Sequence, residues 1–167
     1  MNRRNWMIAW VGFSLSVMAG ADEDPGKSKI GRVSVTVYHA TNGNPKAAGA
    51  KAVVAKETTV RLQKEARLRF KHYQLLGQDT QPLLRSYESW AQPLKPSDEV
   101  LVRFEAQGRP TKKSAVLDLE LWLGRKKIVK TDARLEGDRP LFVLGPEWRG
   151  GRLIIAVALA SEPKPGS

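Results

Sequence analysis

The stretch that decides the fold runs from Ala115 to Leu135, AVLDLELWLGRKKIVKTDARL. Leu117, Leu119, Leu121 and Leu123 alternate with Val116, Asp118, Glu120 and Trp122. This is the period of two that a strand with one buried face requires, so the leucines point to a core and the acids and the tryptophan point away from it. If Gly124-Arg125-Lys126 is a three-residue loop, Leu121 opposes Val129, Leu119 opposes Thr131 and Leu117 opposes Ala133. On the other face Trp122 then meets Ile128, and Glu120 meets Lys130. A two-residue loop would set Leu119 against Lys130 and Leu117 against Asp132, so the three-residue register is expected. It leaves Asp118 opposite Asp132, a like-charge pair that calls for a strand bulge or a bound cation.

Short apolar runs separated by turn residues repeat on both sides of this hairpin. Val33, Val35 and Val37 alternate with Ser34, Thr36 and Tyr38 in a first strand, which Thr41 to Pro45 (TNGNP) must end. Further strands are expected at 72–77, 82–91, 98–107, 115–123, 127–135, 140–144 and 152–160. Leu153 to Leu159 (LIIAVAL) is apolar on both faces and should be the best covered. Thr58 to Phe70 fits two readings. Val60, Leu62, Ala66, Leu68 and Phe70 match strand alternation, but the Leu, Gln, Lys, Glu, Ala and Arg composition favours a helix. On a helix, Leu62, Ala66 and Phe70 share one face, Lys64, Arg67 and Lys71 the other, and Thr58 or Thr59 can cap the start. We adopt the helix. The expected fold is mainly β (α+β): an antiparallel β-sandwich of about eight strands with one packed helix near residues 58–70.

The N-terminus reads as an export signal. Arg3 and Arg4 precede Trp6 to Val17 (WMIAWVGFSLSV), an uncharged apolar segment too short to span a bilayer comfortably, and Ala19-Gly20-Ala21 offers the small residues of a cleavage site. Cleavage after Ala21 is expected. The paired arginines fit either the general secretory or the twin-arginine route. Residues 22–31 (DEDPGKSKIG) then read as a flexible tether, 32–160 as a single β-rich domain, and 161–167 (SEPKPGS) as a disordered tail.

Of 167 residues, 146 follow Ala21, enough for one domain with one core. With no cysteine, disulfides, thiolate metal sites, a cysteine nucleophile and a lipidated N-terminal cysteine are excluded. The formal charge is +11; without Arg3 and Arg4 the remainder has 26 basic against 17 acidic residues, a net +9. That favours an anionic partner in the envelope without choosing one.

Motifs for chemistry are sparse. The two histidines, His39 and His72, lack any recognisable ligand spacing, and there is no G-x-S-x-G, S-x-x-K, HExxH or Walker sequence. No catalytic residue, metal or cofactor is expected. Carboxylate pairs such as Asp98-Glu99 and Asp118/Glu120 could in principle serve glycoside hydrolysis, which needs two carboxyl groups about 5–9.5 Å apart. Asp118 and Glu120 lie on one strand face about 7 Å apart, but exposed strand faces commonly carry such acids. Trp90, Trp122 and Trp148 lie beyond the leader. Trp122, with Glu120 and Lys130 beside it, could form a platform for a sugar ring, unless a helix or loop covers that face. GPEWRGGR, residues 145–152, should turn tightly and present Glu147, Trp148 and Arg149 at its tip, or fold Trp148 back on the core.

Basic residues gather at Arg61, Lys64, Arg67, Arg69 and Lys71, at Arg109, Lys112 and Lys113, and at Arg125, Lys126, Lys127 and Lys130. Strand 115–123 holds the last two clusters roughly 26–30 Å apart, which disfavours a compact nucleic-acid site. The reading is therefore a non-enzymatic binding or assembly domain of the periplasm, envelope or exterior, with an envelope protein or anionic polymer as partner and no membrane span after cleavage. The alternatives are a carbohydrate-recognition module and a hydrolase whose residues meet only in the fold. The contact residues expected are Trp122, Glu120, Lys130, Glu147, Trp148 and Arg149.

Overall fold

The computed structural model describes residues 24–161 apart from 50, 51, 109, 112 and 138. The leader, Arg109, Lys112 and the tail from residue 162 lie outside the described residues. Among the described residues nine strands build the fold: β1 Lys29–Thr41, β2 Ala52–Val53, β3 His72–Leu84, β4 Ser89–Ala91, β5 Val100–Gln107, β6 Ser114–Leu123, β7 Lys126–Glu136, β8 Leu141–Trp148 and β9 Gly151–Leu159. They form two antiparallel sheets, ordered β2-β3-β1-β9-β8 and β4-β5-β6-β7. The mainly-β sandwich expected from the alternating segments is the observed architecture.

The alternation dictates the core. Val33, Val35 and Val37 of β1 and Leu153, Ile155 and Val157 of β9 face Val100, Val102 and Phe104 of β5 and Leu117, Leu119 and Leu121 of β6, all buried in one cluster. Every residue from Leu153 to Val157 is buried, because β9 is covered on its second face too. That cover is helix α1, Lys56–Lys64, and a 3-10 turn, Ala66–Leu68. Their Leu62 and Leu68 pack with Ala40, Tyr73 and Ile154 on the outer face of the five-stranded sheet.

The helix is shorter than the expected 58–70. It starts after Ala55 without a side-chain cap, not at Thr58 or Thr59, and ends at Glu65, whose backbone is extended (φ −91°, ψ 116°). At 3.6 residues per turn, an unbroken helix would carry Leu68 well round the axis from Leu62. The break at Glu65 returns Leu68 to the sheet, and both leucines are buried while Ala66 is exposed.

Three further expectations need correction. The strands placed at 72–77 and 82–91 are β3 running unbroken from 72 to 84, then a short β4. The polar run Gln78-Asp79-Thr80-Gln81 looked like a turn, but Asp79 accepts hydrogen bonds from the Gln92 backbone, from Gln81 and from Lys95, tying the 92–95 segment to the strand. Pro82 lies where β3 has run past β2 and become a sheet edge, a position that tolerates proline. The segment read as a tether is docked from Asp24 onward. Asp24 accepts from the Gly26 backbone and the Tyr87 hydroxyl around a 3-10 turn at Pro25–Lys27, and β1 begins at Lys29. Finally, β8 extends through Trp148, well past the expected 144.

The β6–β7 register pairs Leu121 with Val129, Leu119 with Thr131, Leu117 with Ala133 and Glu120 with Lys130, as the alternation demands. The turn itself differs. Leu123 pairs with Lys126 and Trp122 with Lys127, so the loop is Gly124-Arg125, and a bulge at Ile128 supplies the extra residue. Gly124 at φ +58° suits so tight a turn. The bulge then lets both Ile128 and Val129 pack against the core.

Candidate functional site

The outer face of the four-stranded sheet carries the most organised group of polar and aromatic side chains. Neither α1 nor the 3-10 turn after it packs there; both sit across the sandwich on the other sheet. Strand register brings Trp90 of β4, Arg103 of β5, Glu120 of β6 and Lys130 of β7 into one row. Trp122 lies two residues along β6 from Glu120 and therefore on the same face, opposite Leu101 and Lys127. Its ring and that of Trp90 approach across β5 to 6.0 Å between centroids at an interplanar angle of 51°. The two rings make an open angle rather than a stack.

A repeated local device sets both rings. Glu88-Ser89-Trp90 and Glu120-Leu121-Trp122 each place a glutamate two residues before a tryptophan. Trp90 Nε1 donates to Glu88 Oε1 at 2.9 Å, and Trp122 Nε1 donates to Glu120 Oε2 at 3.0 Å. Arg103 joins the two devices. Its Nε donates to Glu88, its Nη2 to Glu105 at 2.8 Å and its Nη1 to Asp118 at 3.2 Å, with Glu120 3.9 Å away. Lys127 reaches Glu120 at 3.0 Å and stands 5.4 Å from the Trp122 ring centroid. Lys130 bridges Asp118 at 3.3 Å and Glu120 at 3.4 Å. The tension expected between Asp118 and Asp132, which do oppose each other, is thus eased by cations of the chain itself.

The electrostatics follow from these contacts. The hydrogen bond from Lys127 holds the Glu120 carboxyl down at about 2 against the opposing effect of its burial, with Trp122 and Lys130 adding to the depression. Glu88 is lowered by Trp90 and Arg103. Lys130 is raised by its bonds to Asp118 and Glu120, and Arg103 is held protonated chiefly by Glu88. A glycosidase acid needs its carboxyl raised; Glu120 is shifted the opposite way. Across the network, Glu88, Glu105, Asp118 and Glu120 stand against Arg103, Lys127 and Lys130, so the network carries one net negative charge in a basic chain.

The other sequence candidates fall elsewhere. In GPEWRGGR only Arg149 and Gly150 form the turn, with φ of 45° and 74°; Glu147 and Trp148 belong to β8, opposite Arg152 and Gly151. Trp148 folds back against the core, donates from Nε1 to Glu99 Oε1 at 2.6 Å, and carries the Arg149 guanidinium 4.3 Å from its ring centroid. It meets His39 edge-on at 6.0 Å, and His39 Nε2 donates to the Trp148 carbonyl at 3.2 Å. His39 is fully buried, and Gly151 must be glycine because a Cβ there would enter the imidazole and the Ala40 carbonyl. Thus Trp148 and Glu99 brace the end of the sandwich. A shallow cleft of about 610 Å³ opens beside this turn, lined by Phe70, Trp148, Arg149 and Arg152 among others. His72 is exposed at the start of β3.

The basic clusters do not converge. Arg61, Lys64 and Arg67 are exposed on the helical side, whereas Lys127 and Lys130 lie on the opposite side of the sandwich. Among the described residues no group of three or more His, Asp or Glu side chains could hold a metal ion, and no helix is long and apolar enough to cross a membrane.

The sequence reading placed Trp122, Glu120 and Lys130 together on this face, and the structure does bring them together; Glu147, Trp148 and Arg149 lie apart from them. It named Trp90 but did not join it to Trp122, and it missed Glu88 and Arg103. The signal that could have found Glu88 and its link to Trp90 is the repeated Glu-x-Trp at 88–90 and 120–122; Arg103 has no such local signal. Comparison with protein families, with curated proteins and with solved structures finds no match to this chain.

Proposed function

We propose that this protein is an exported, non-enzymatic binding domain of the cell envelope whose contact surface is the outer face of the β4-β5-β6-β7 sheet. Export rests on the leader read at residues 1–21. The observation that carries the rest is the pair Trp90 and Trp122, left uncovered by the helix and each fixed through its N–H to a carboxylate that is itself paired. An aromatic pair 40% exposed at Trp90 has no packing role that would demand so many fixed contacts, whereas binding gains from side chains ordered in advance. The depressed Glu120 carboxyl speaks against acid–base catalysis at this place. The envelope supplies either a protein or a polymer as partner. An anionic polymer has the helical side, with Arg61, Lys64 and Arg67, as its better surface.

The test is co-sedimentation of the purified protein with isolated envelopes of its own host. Wild type is expected in the pellet, Trp90→Ala in the supernatant, and Val60→Ala, on the exposed side of α1, in the pellet with wild type. Equal pelleting of wild type and Trp90→Ala would remove this face from the reading. N-terminal sequencing of the exported protein is expected to start at Asp22; a start at Met1 would remove the cleaved leader.

A further inference from the structure

We infer that the open angle between Trp90 and Trp122 takes an uncharged pyranose ring of an envelope glycan. This inference rests on the reading of the same face as the contact surface. Both indole N–H groups are spent on Glu88 and Glu120, so the rings offer a ligand carbon edges and π faces, apart from the Trp122 face that Lys127 covers. A pyranose has the complementary chemistry: a face of C–H groups that lies on an aromatic ring, rimmed by hydroxyls that both donate and accept.

The rim answers those hydroxyls. Glu88 and Glu105 retain side-chain exposures of 47% and 35%, and Lys127 and Lys130 of 40% and 58%, so carboxylate acceptors stand on the β4–β5 side of this face and ammonium donors on its β7 side. Charge decides against the other occupants. Four carboxylates against three cations give an anionic chain no net attraction. A cationic ligand would meet Lys127, already placed over Trp122, and Arg103 between the two glutamates. A protein partner would have to desolvate the four charged side chains still open to water, Glu88, Glu105, Lys127 and Lys130, whereas the centres of protein interfaces are depleted of charge. An uncharged polyhydroxy ligand avoids all three penalties.

Calorimetric titration of the full purified protein with cellohexaose, chitohexaose and mannohexaose, and with polygalacturonate as the anionic counterpart, tests this directly. At least one neutral hexasaccharide is expected to bind, with an affinity unchanged between low and high salt. Trp90→Ala is expected to weaken it about tenfold or more and Trp90→Phe much less. Trp122→Phe, which keeps a ring but loses the bond to Glu120, provides a second variant with the strand intact. Absence of binding by every neutral sugar, unchanged affinity in Trp90→Ala, or salt-sensitive binding of polygalacturonate above all neutral sugars would each overturn the inference. Trp90-dependent sedimentation with no neutral sugar bound would overturn the glycan and leave the contact face standing. Sedimentation indifferent to Trp90 would remove the face as well.

Discussion

The two outer faces of the sandwich are built by the same strand alternation and have opposite fates. On the five-stranded sheet the outward side chains include Tyr38, Ala40, Phe142, Leu144 and Ile154, and α1 with its following turn closes over them through Leu62 and Leu68. On the four-stranded sheet they include Arg103, Glu105, Asp118, Glu120, Trp122 and Lys130, which satisfy one another in place. An apolar outer face must be covered or it drives association; a charged one can stay in water. The two tryptophans, with Leu101 opposite one of them, stand out on this wet face, and the binding proposed above would account for them.

If this division is right, the covered face should govern stability and the open face should govern binding. Leu62→Ala probes it most strongly. Leu62 is fully buried between helix and sheet, and its truncation is expected to cost about 2–5 kcal/mol in denaturant unfolding while leaving envelope sedimentation of the folded protein intact. A cost within experimental error would mean that α1 does not stabilise the sheet beneath it. Next comes Arg103→Met, which leaves Glu88, Glu105 and Asp118 without their shared cation. About 2–3 kcal/mol is expected, together with loss of binding as the tryptophans are freed. Retained stability with lost binding would sharpen the division; loss of neither would make Arg103 incidental.

Acid probes the same network more gently. Glu120 is held at about 2 in the folded protein, below its ordinary 4.5, so its ionised form stabilises the fold fully above pH 4.5. That contribution is lost as pH falls from 4.5 towards 2. Glu120→Gln should remove it, and unfolding midpoints of the variant and the wild type, measured across that range, should converge as pH drops. Parallel curves would show that Lys127 does not hold the carboxylate down. The smallest stability effect belongs to Trp90→Ala, about 0.5 kcal/mol or less for so exposed a residue, in contrast with its expected loss of binding. A large destabilisation would turn Trp90 into a packing residue and dissolve the contrast between the faces.

Much of this was legible in the chain where a period of two persists. LDLELWL assigned its own inner and outer faces, and the polar pairs it implied with 129–133 are present. Illegible were the places where polar residues act over long range. Gln78-Asp79-Thr80-Gln81 reads as a turn by composition, yet it is strand because Asp79 has partners thirteen and sixteen residues away. The end of α1 was hidden for a related reason. Helical propensity continues past Glu65, but Leu68 is needed on the sheet. The turn at 124–125 and the bulge at Ile128 together reproduce the offset of a three-residue loop, so alternation alone could not separate them.

By itself, the sequence determined the strand class, which leucines and valines are interior, and that Glu120, Trp122 and Lys130 share a face, because each follows from neighbours one or two residues apart or from one hairpin. Only the tertiary structure decided that the helix covers the other sheet and that β5 carries Arg103 between β4 and β6. That placement brings Trp90 to Trp122 across thirty-two positions of sequence. Such a meeting depends on the order of strands in a sheet, which no local period encodes.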